Sequence, residues 1–549
     1  MNRTEKKTQF YRNAKIFTSD CDNPRADSML ISDGRIKWVG FEESIGEDSE
    51  AASLARDAET IDLGGHTVLP GFVDAHMHPI MLADYSTMIS ALPPAVCSVA
   101  ELVEKVGETY RSLSNSEIEL AKKGKYWIRG WGYDEGKFSE HRAPNRYDLD
   151  RGAADVPVLI HRTCAHVVCV NSKALEIAGI TASTPDPEGG QIERDENGEP
   201  TGVLRENAKN LVEPFLPVPS HDELVQQIVS LGEILRKQGV VAVADMGLFD
   251  STDTYSYFVD AAKAGFKQRV AVYYMWQYFY KNPPVVTPEM CDRGNQIFVA
   301  GTKTVGDGSI SGRTAWVYEP YLGGSDCGMQ VCSDEVLESA IAFAKKHGIQ
   351  LSMHAMGGRA IDRIIDRMSG EKCWTDSGSG SALWPHLRLE HLTEPTGHAI
   401  DQAVKNGYAF VTQPIFAYSE IESYLKNFGL ERTKQAYPIR TMLKKGVNVV
   451  LSTDAPATSW ATPSDPLPNI KAAVTRCAYN GIDYSGAETI DIETAIRLYT
   501  RQAALAVGME DSGWLHAGAR ADFLVLSDDI FTIDPEKIDT ITLETHMAQ

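Results

Sequence analysis

The middle of the chain alternates amphipathic stretches with short apolar runs. From Asp222 to Lys237 the apolar residues recur at helical spacing, Gly239 follows as a stop signal, and the run VVAVADMG comes next. The same order returns in VLESAIAFAKKHG before IQLSMHA, in GHAIDQAVKNG before YAFVTQP, and in IRTMLKKG before VNVVLSTDA. This succession predicts an α/β fold, which we interpret as a (β/α)8 TIM barrel.

The two ends of the chain have a different pattern. Short β-type runs such as AKIFT and SMLIS occupy the start, and Asp33-Gly34 before RIKWVG is a hairpin signal. The closing runs ARADFLVLS and TITLETHM return to this style. We therefore predict a small β-sandwich domain formed by both termini, a barrel, and an inserted subdomain over the barrel mouth. Their respective limits are 1–70 plus 509–549, 71–508, and roughly 85–215.

Polar residues that can bind a metal stand at or just past the ends of apolar runs. They occur in GFVDAHMHP, GTKTVGDGS, LSMHAMGG, RLEHL and LSTDAP. In a TIM barrel, catalytic residues lie at the C-terminal ends of the strands, around one axis. An alternating pattern alone also fits a doubly wound sheet, but ligands spread over many successive strands favour the closed barrel. The candidate metal ligands are His76, His78, Lys303, His354, His391 and Asp454.

The first histidine pair and the lysine bring different chemistry. His76 and His78 are two positions apart on a predicted strand, so both imidazoles share a face and can reach one ion. The alternative is two histidines in a turn before Pro79. Lys303 has no lone pair as an ammonium. It joins the set only as a carbamate formed with carbon dioxide, able to bridge two metals; otherwise it is a surface or salt-bridged lysine.

Asp454 is the candidate for proton transfer. Its carboxylate can bind metal, accept the proton of the attacking water and pass it to the leaving group, as general base and acid. The alternative is an N-cap for the following segment. A divalent ion lowers the pKa of its water towards roughly 7. The set therefore predicts a hydrolase with one or two Zn²⁺ ions, and other divalent metals fit the same ligands.

Composition and charge narrow the class of protein. The hydrophobic content of 43% and charged content of 23% are ordinary for a soluble globular protein. No apolar run reaches about 18 residues, and the start MNRTEKKTQF has no apolar signal segment, so we expect a cytoplasmic protein. The net charge of −22 argues against nucleic acid or an anionic membrane as partner. Nine scattered cysteines fit reduced thiols, and a homodimer is the commonest assembly for such chains.

Several longer motifs carry a family resemblance. GFVDAHMHP, the strand-end positions of His354, His391 and Asp454, and the closing GWLHAGARADFLVLS resemble the amidohydrolase superfamily. WIRGWGYDE, PDPEGGQIERDENGEPTGVLRENA and VGDGSISGRTAWVYEPY resemble one branch of it, the amidohydrolase family 3 proteins of YtcJ type. The similarity covers nearly the whole chain, so the resemblance implies the barrel fold and a metal-dependent hydrolase.

The resemblance also implies a reaction. The best-defined activity of the branch is that of N-substituted formamide deformylase, which hydrolyses an N-alkyl formamide to formate and an amine. This would make the protein a hydrolase of carbon–nitrogen bonds other than peptide bonds, with a small amide as substrate. One departure matters: where the branch has HAxGDxA, this chain has Gly358 in place of the aspartate. The substrate preference of the branch therefore does not transfer directly.

Side chains that contact the substrate must come from loops. His166 is a candidate oxyanion donor, and Arg313 could bind a carbonyl or carboxylate, or pair with an acidic residue. Asn171 lies in the same motif-rich insertion as His166. Aromatic residues of the loops suit an apolar amine substituent, although tryptophan and tyrosine are also common in cores. The candidate pocket walls are Trp131, Tyr133, Trp316 and Trp460.

Two other functions are compatible with these residues. A hydrolase of another amide, a cyclic imide or a carbamate would use the same metal set, because loops rather than the fold select the substrate. A metal-binding regulatory relic of an enzyme is the alternative from another class. A relic is expected to lose a ligand or the acid–base residue, whereas this chain contains all the candidate metal ligands, Asp454 among them.

Overall fold

The computed structural model describes residues 8–163, 166–375 and 384–548. The chain divides into two compact units. The first consists of Met1–Ile80, Ile228–Ala455 and Ser464–Gln549, and the second of Met81–Gln227 and Pro456–Pro463. Residues 1–7, part of the segment on which the expectation about a signal peptide rests, lie outside the described residues.

Eight parallel strands form the central sheet of the first unit, and each pairs with the next in chain order. They are β1 (Phe72–Met77), β2 (Val240–Asp245), β3 (Arg269–Met275), β4 (Ile297–Val305), β5 (Gln350–Ala355), β6 (Leu387–His391), β7 (Ala409–Thr412) and β8 (Asn448–Leu451). The sheet is nearly closed. Just past β8 the amide of Asp454 donates to the carbonyl of His76 (2.8 Å), and the amide of His78 donates to that of Ala455 (2.7 Å). This arrangement is consistent with the predicted TIM barrel.

Helices alternate with the barrel strands as the sequence pattern predicts. Glycines in the left-handed conformation end three of them, Gly348 (φ 65°), Gly407 (φ 69°) and Gly446 (φ 90°), which lets the chain turn directly into the next strand. The helices of this part of the chain are Ser49–Arg56, Pro79–Tyr85, His221–Lys237, Thr254–Lys263, Asp334–His347, Gly358–Met368, Gly397–Asn406, Ile415–Ser419, Ile421–Thr433, Ile439–Lys445, Pro466–Thr475, Ile492–Tyr499 and Arg501–Ala506.

Two sheets are built from the ends of the chain. One has the strand order Arg35–Gly40, Ser28–Ser32, Gln9–Arg12 and Glu59–Asp62. The other has the order Leu543–His546, Phe523–Leu526, Thr67–Pro70, Lys15–Phe17 and Arg25–Ala26. They share one apolar core, which includes Ile16, Met29 and Phe523. The separate β-sandwich domain stays a prediction, because these sheets belong to the same compact unit as the barrel.

The predicted hairpin at Asp33-Gly34 is confirmed. Ser28–Ser32 and Arg35–Gly40 pair antiparallel, and both turn residues have positive φ, 54° at Asp33 and 68° at Gly34. A two-residue turn of this kind matches the twist of the strands it joins, and aspartate and glycine tolerate the conformation best.

The second unit contains a mixed six-stranded sheet. Its strand order is Gly190–Arg194, Pro200–Glu206, Val167–Val170, Val158–Arg162, Ile128–Tyr133 and Ile89–Ser90. Its helices are Val99–Ser112, Asn115–Ala121, Arg146–Gly152 and Ser172–Ala178. The insertion was predicted over roughly 85–215, whereas this unit also takes in Pro456–Pro463 after β8. None of the helices in the described ranges combines the length and apolar character needed to cross a membrane.

Candidate metal centre

Three buried side chains at the ends of barrel strands meet at one point. His76 on β1, His391 on β6 and Asp454 after β8 each offer one ligand atom, and these atoms lie within 4.8 Å of one another. His76 and Asp454 come from opposite edges of the eight-stranded order and His391 from an inner strand, and the near closure of the barrel brings the three together. Among the described residues, this group has the donor set and spacing of a metal site.

The Nδ1 atoms of His76 and His78 each have a hydrogen-bond partner. His76 Nδ1 lies 2.6 Å from Glu390 Oε2, and His78 Nδ1 lies 2.7 Å from the carbonyl of Gly247. Because both partners accept, each Nδ1 carries a proton, and each Nε2 is the nitrogen that faces the centre. Burial lowers the pKa of His78 to about 4. Its imidazole is therefore neutral at physiological pH, as a metal ligand must be.

Asp454 faces these Nε2 atoms. Its Oδ1 lies 3.2 Å from His76 Nε2 and 3.6 Å from His78 Nε2, and it is buried without a hydrogen bond from any described residue. Burial opposes ionisation of Asp454, but the neighbouring His76 and Lys303 hold its pKa below the ordinary value. A carboxylate oxygen and two imidazole nitrogens that converge on one point fit a divalent cation.

Lys303 lies directly beside this group. Its Nζ is 3.3 Å from His76 Nε2, and the side chain is buried. Burial lowers the pKa of Lys303 to about 8. A larger fraction of the amine is therefore neutral than in an exposed lysine, and a neutral amine is the form that reacts with carbon dioxide.

His354 and His391 lie side by side, with ring centroids 4.3 Å apart. His391 Nδ1 lies 2.9 Å from Gln413 Oε1 and 3.8 Å from Asp454 Oδ2. His354 Nε2 lies 3.0 Å from the carbonyl of Gly308, so that nitrogen turns towards the loop after β4. Burial lowers the pKa of His354 to about 4 and that of His391 well below its ordinary value. Both imidazoles are thus neutral.

The backbone at two of these positions is unusual. His391 has φ 77° and Asp454 has φ 58°, a region that residues other than glycine rarely adopt. Side chains alternate along a regular strand, so Glu390 and His391 would face opposite sides. The positive φ at His391 breaks this alternation, and both side chains contact residues of the same centre. Such conformations cluster at functional sites.

The other predicted residues of the first unit lie in the loop after β4. Arg313 donates from Nη1 to the carbonyl of Leu322 (3.2 Å), and its guanidinium lies 5.3 Å from the ring centroid of Tyr321. The amide of Trp316 donates to Asp307 Oδ2 (2.8 Å), and its side chain is half-buried. The substrate contacts of Arg313 and Trp316 stay predictions.

The remaining predicted residues belong to the second unit. His166 is exposed, and its Nδ1 lies 2.9 Å from Glu206 Oε2. Asn171 is buried and caps the helix Ser172–Ala178 by accepting from the amide of Ala174. The three aromatic candidates of this unit are buried: Trp131 packs against Tyr85 and Tyr133 against Phe138, and the amide of Trp460 donates to the carbonyl of Thr458. Their roles towards substrate stay predictions.

The structure adds three residues that the sequence argument missed. Glu390 contacts His76, and its charge within the apolar run of RLEHL was the available signal. Asp307 accepts from the amides of Trp316, Met356 and Gly357, so it ties the loop after β4 to the loop after β5. Phe249 stacks on His78 at 5.6 Å and is 53% exposed. Nothing in the sequence distinguished Phe249 from a core phenylalanine.

Gly358 has a physical explanation in its surroundings. A Cβ atom added there would lie 3.0 Å from Cδ2 of Tyr318 and 3.3 Å from the carbonyl of Glu394. The Tyr318 ring therefore occupies space that a larger residue would need. Tyr318 is itself held by a hydrogen bond from its hydroxyl to Asp362 (2.9 Å).

Comparisons with known proteins agree with this geometry. A model of the amidohydrolase family matches residues 59–547. The chain is 30% identical over 544 residues to the proposed amidohydrolase YtcJ of Bacillus subtilis (strain 168), with 96% of each chain covered. It is 28% identical over 533 residues to an N-substituted formamide deformylase of Arthrobacter pascens, with 94% of this chain and 93% of that protein covered.

A solved structure is also similar over nearly the full length. The metal-dependent hydrolase of unassigned function from Pyrococcus furiosus has a TM-score of 0.68 and 26% sequence identity, covering 96% of this chain and 100% of that chain. The resemblance identified from the motifs is thereby confirmed. The chain belongs to the amidohydrolase family, and it is a metal-dependent hydrolase that acts on carbon–nitrogen bonds.

Proposed function

We propose that this protein hydrolyses an N-substituted formamide, a small amide, to formate and an amine. The observation that carries the proposal is the convergence of His76, His391 and Asp454 within 4.8 Å at the barrel mouth. The similarity to a formamide deformylase over 94% of the chain supports the choice of substrate.

The candidate ligands fit zinc, with one or two ions held by His76, His78, His354, His391, Asp454 and a carbamylated Lys303. When bound, the metal supplies a Lewis acid and an acidified water. Carbamylation joins the Lys303 nitrogen to carbon dioxide. Starting from the ammonium form it releases two protons, so a buried cation becomes an anion. The buried position of Lys303 beside His76 supports this modification.

Asp454 is the proton carrier in this proposal. It stays ionised because its neighbours hold its pKa low, so it can accept a proton from the attacking water. The tetrahedral adduct then breaks its C–N bond, and Asp454 returns the proton to the departing nitrogen. Amines leave poorly unless they are protonated, so a carboxylate close to that nitrogen is required. Water adds across the bond, and formate and the amine are released.

The test is a substrate panel assayed for released amine. N-substituted formamides are compared with matching acetamides, with cyclic imides and with carbamates, on protein loaded with Zn²⁺. We expect turnover of formamides to exceed that of the acetamides. Brisk imide or carbamate hydrolysis without formamide turnover would replace the proposed substrate by that class. Metal binding without turnover of any member would favour the regulatory relic.

A further inference from the structure

The side chain of Glu390 has no contact with solvent and four polar contacts within the barrel. Its Oε2 lies 2.6 Å from His76 Nδ1. Its Oε1 accepts from Ser352 Oγ (2.7 Å) and from Arg388 Nε (2.6 Å), and Arg388 Nη2 lies 3.1 Å from Oε2. The donors around this carboxylate have fixed positions, so the Glu390 side chain cannot rotate without breaking several hydrogen bonds.

The charge of Glu390 is secured by Arg388, two positions earlier on β6. Burial opposes ionisation of Glu390, but the Arg388 guanidinium holds its pKa below the ordinary value. Arg388 is itself fully buried, and its remaining donors go to Tyr273 Oη (3.1 Å) and to the carbonyl of Ala75. The pair is therefore neutral as a whole, which limits the cost of burying both charges.

The network continues away from the metal centre to the start of β5. Tyr273 donates from Oη to Gln350 Oε1 (2.5 Å). Gln350 in turn donates from Nε2 to the carbonyl of Ala506 in the helix Arg501–Ala506 (2.9 Å). The hydrogen bonds thus join β1, β3, β5 and β6 through side chains in the barrel interior. They anchor Glu390 to the scaffold independently of any group at the mouth.

The two histidines of the HxH pair are supported unequally. Among the described residues, the hydrogen-bond partner of His78 Nδ1 is the backbone carbonyl of Gly247, which is a neutral dipole. His76 Nδ1 has the carboxylate of Glu390, which is an anion held by a buried arginine. An anionic acceptor makes the stronger hydrogen bond and raises the basicity of the opposite nitrogen.

We propose that Glu390, braced by Arg388, is the positioning residue that fixes His76 with its proton on Nδ1 and its Nε2 lone pair towards Asp454 and Lys303. The inference deepens the proposed function, since it rests on a metal at the barrel mouth. It does not depend on which amide is hydrolysed. Of the two histidines, His76 is therefore the one whose contribution to metal affinity depends on the charge of Glu390.

The experiment compares Zn²⁺ affinity, measured by competition with a chromophoric chelator, in three variants. Glu390→Gln keeps the shape and removes the charge, and we expect its affinity to fall about 10- to 100-fold. Arg388→Met combined with Glu390→Gln removes both charges, so no buried cation stays unpaired, and we expect the same loss. Glu394→Gln is the matched control. The Glu394 carboxylate also pairs twice with an arginine, Arg432 (2.6 and 2.7 Å), and in the described ranges it has no hydrogen bond to a candidate ligand. The Zn²⁺ affinity of Glu394→Gln should therefore equal that of wild type.

A second measurement uses the wild-type protein and needs no variant. Nitrogen NMR of the metal-free protein, labelled at histidine and assigned with a His76→Asn variant, should show His76 protonated at Nδ1. Protonation at Nε2 overturns the proposal, as does a folded Glu390→Gln protein that binds Zn²⁺ within about twofold of wild type. A double variant that regains wild-type affinity also overturns it, because the role would then be charge balance alone.

These outcomes separate the inference from the proposed function. A wild-type protein that binds Zn²⁺ but hydrolyses no amide contradicts the proposed function, while the affinity losses would still support the role of Glu390. A wild-type protein that binds no divalent metal overturns both.

Discussion

The barrel mouth and the core of the terminal sheets bury opposite kinds of side chain. The core shared by the terminal sheets consists of apolar residues such as Ile16, Met29 and Val68. The barrel mouth buries a lysine, an aspartate and several histidines within a few ångströms, and beneath them an arginine and glutamate pair. Both regions belong to the first unit, so one chain uses two different ways of filling its interior.

The difference separates stability from chemistry. Burial of apolar surface stabilises the fold by about 25 cal/mol per Å² and requires no specific polar partner. Buried charges cost several kcal/mol each unless they are paired. The terminal sheets should therefore be sensitive to volume and indifferent to metal and pH. The barrel mouth should be sensitive to charge, and its variants should change function more than folding.

The largest expected effect is on turnover at the barrel mouth. Asp454→Asn keeps the side-chain shape but cannot accept a proton, so we expect kcat to fall by about 10²- to 10⁴-fold while the protein still binds Zn²⁺. The measurement is amine release at saturating substrate, with metal content determined in parallel. Asp491→Asn, which keeps a helix cap at Ile492–Tyr499, serves as control and should retain normal turnover. A near-normal rate in Asp454→Asn would exclude the proton-carrier role.

The terminal core should respond in the opposite way. Ile16→Ala removes a fully buried side chain from the shared core, and we expect a loss of about 2–5 kcal/mol in the free energy of unfolding. Turnover per folded molecule and Zn²⁺ affinity should stay unchanged. Val285→Ala, at a side chain 84% exposed, is the control and should cost almost nothing. If Ile16→Ala also weakened metal binding, the two regions would not be independent.

A smaller effect concerns pH in the metal-free protein. Burial lowers the pKa of His354 to about 4, so between about pH 6.5 and pH 4 the unfolded state binds a proton that the folded state does not. Lowering the pH through this window therefore destabilises wild type relative to His354→Asn, by up to about 1.4 kcal/mol per pH unit. Denaturant titrations of both proteins at several pH values give this difference. A difference independent of pH would contradict a neutral, buried His354.

The smallest expected effect is on substrate choice. Phe249 is half-exposed and stacks on His78, so it offers an apolar surface at the mouth. We expect Phe249→Ala to lower kcat/KM for N-benzylformamide about tenfold relative to N-methylformamide, as loss of an aromatic contact would. Phe41→Ala, at a phenylalanine 50% exposed in the terminal part, is the control. An unchanged ratio would remove Phe249 from the substrate surface.

The barrel and the convergence of candidate ligands at its strand ends could be predicted because both follow from local patterns. Helix, glycine and strand recur at regular intervals, and the strand ends of a barrel converge whatever the loops do. His76, His391 and Asp454 accordingly lie together in the structure, and Lys303 lies beside them. The hairpin at Asp33-Gly34 was predictable for the same reason, since two residues determine the turn.

The rest of the site depends on side-chain direction and on distant partners, which local patterns do not contain. Strand alternation would separate Glu390 from His391, and only the positive φ of His391 brings both to the centre. Nothing near His354 in sequence indicated that its Nε2 would turn to the carbonyl of Gly308. The aromatic candidates were chosen by residue type alone, which does not distinguish a pocket wall from a core residue.

The closure of the barrel has a consequence for how the protein matures. The seam between β8 and β1 is fastened by Asp74, which accepts from the amide and hydroxyl of Thr453, 379 positions away in sequence. The candidate ligands lie on both sides of that seam. During synthesis the early histidines emerge long before Asp454 exists, so the nascent chain can offer only an incomplete binding site. Tight metal binding is then expected only after the last strand has packed beside the first. Metal uptake would therefore indicate that the barrel has closed.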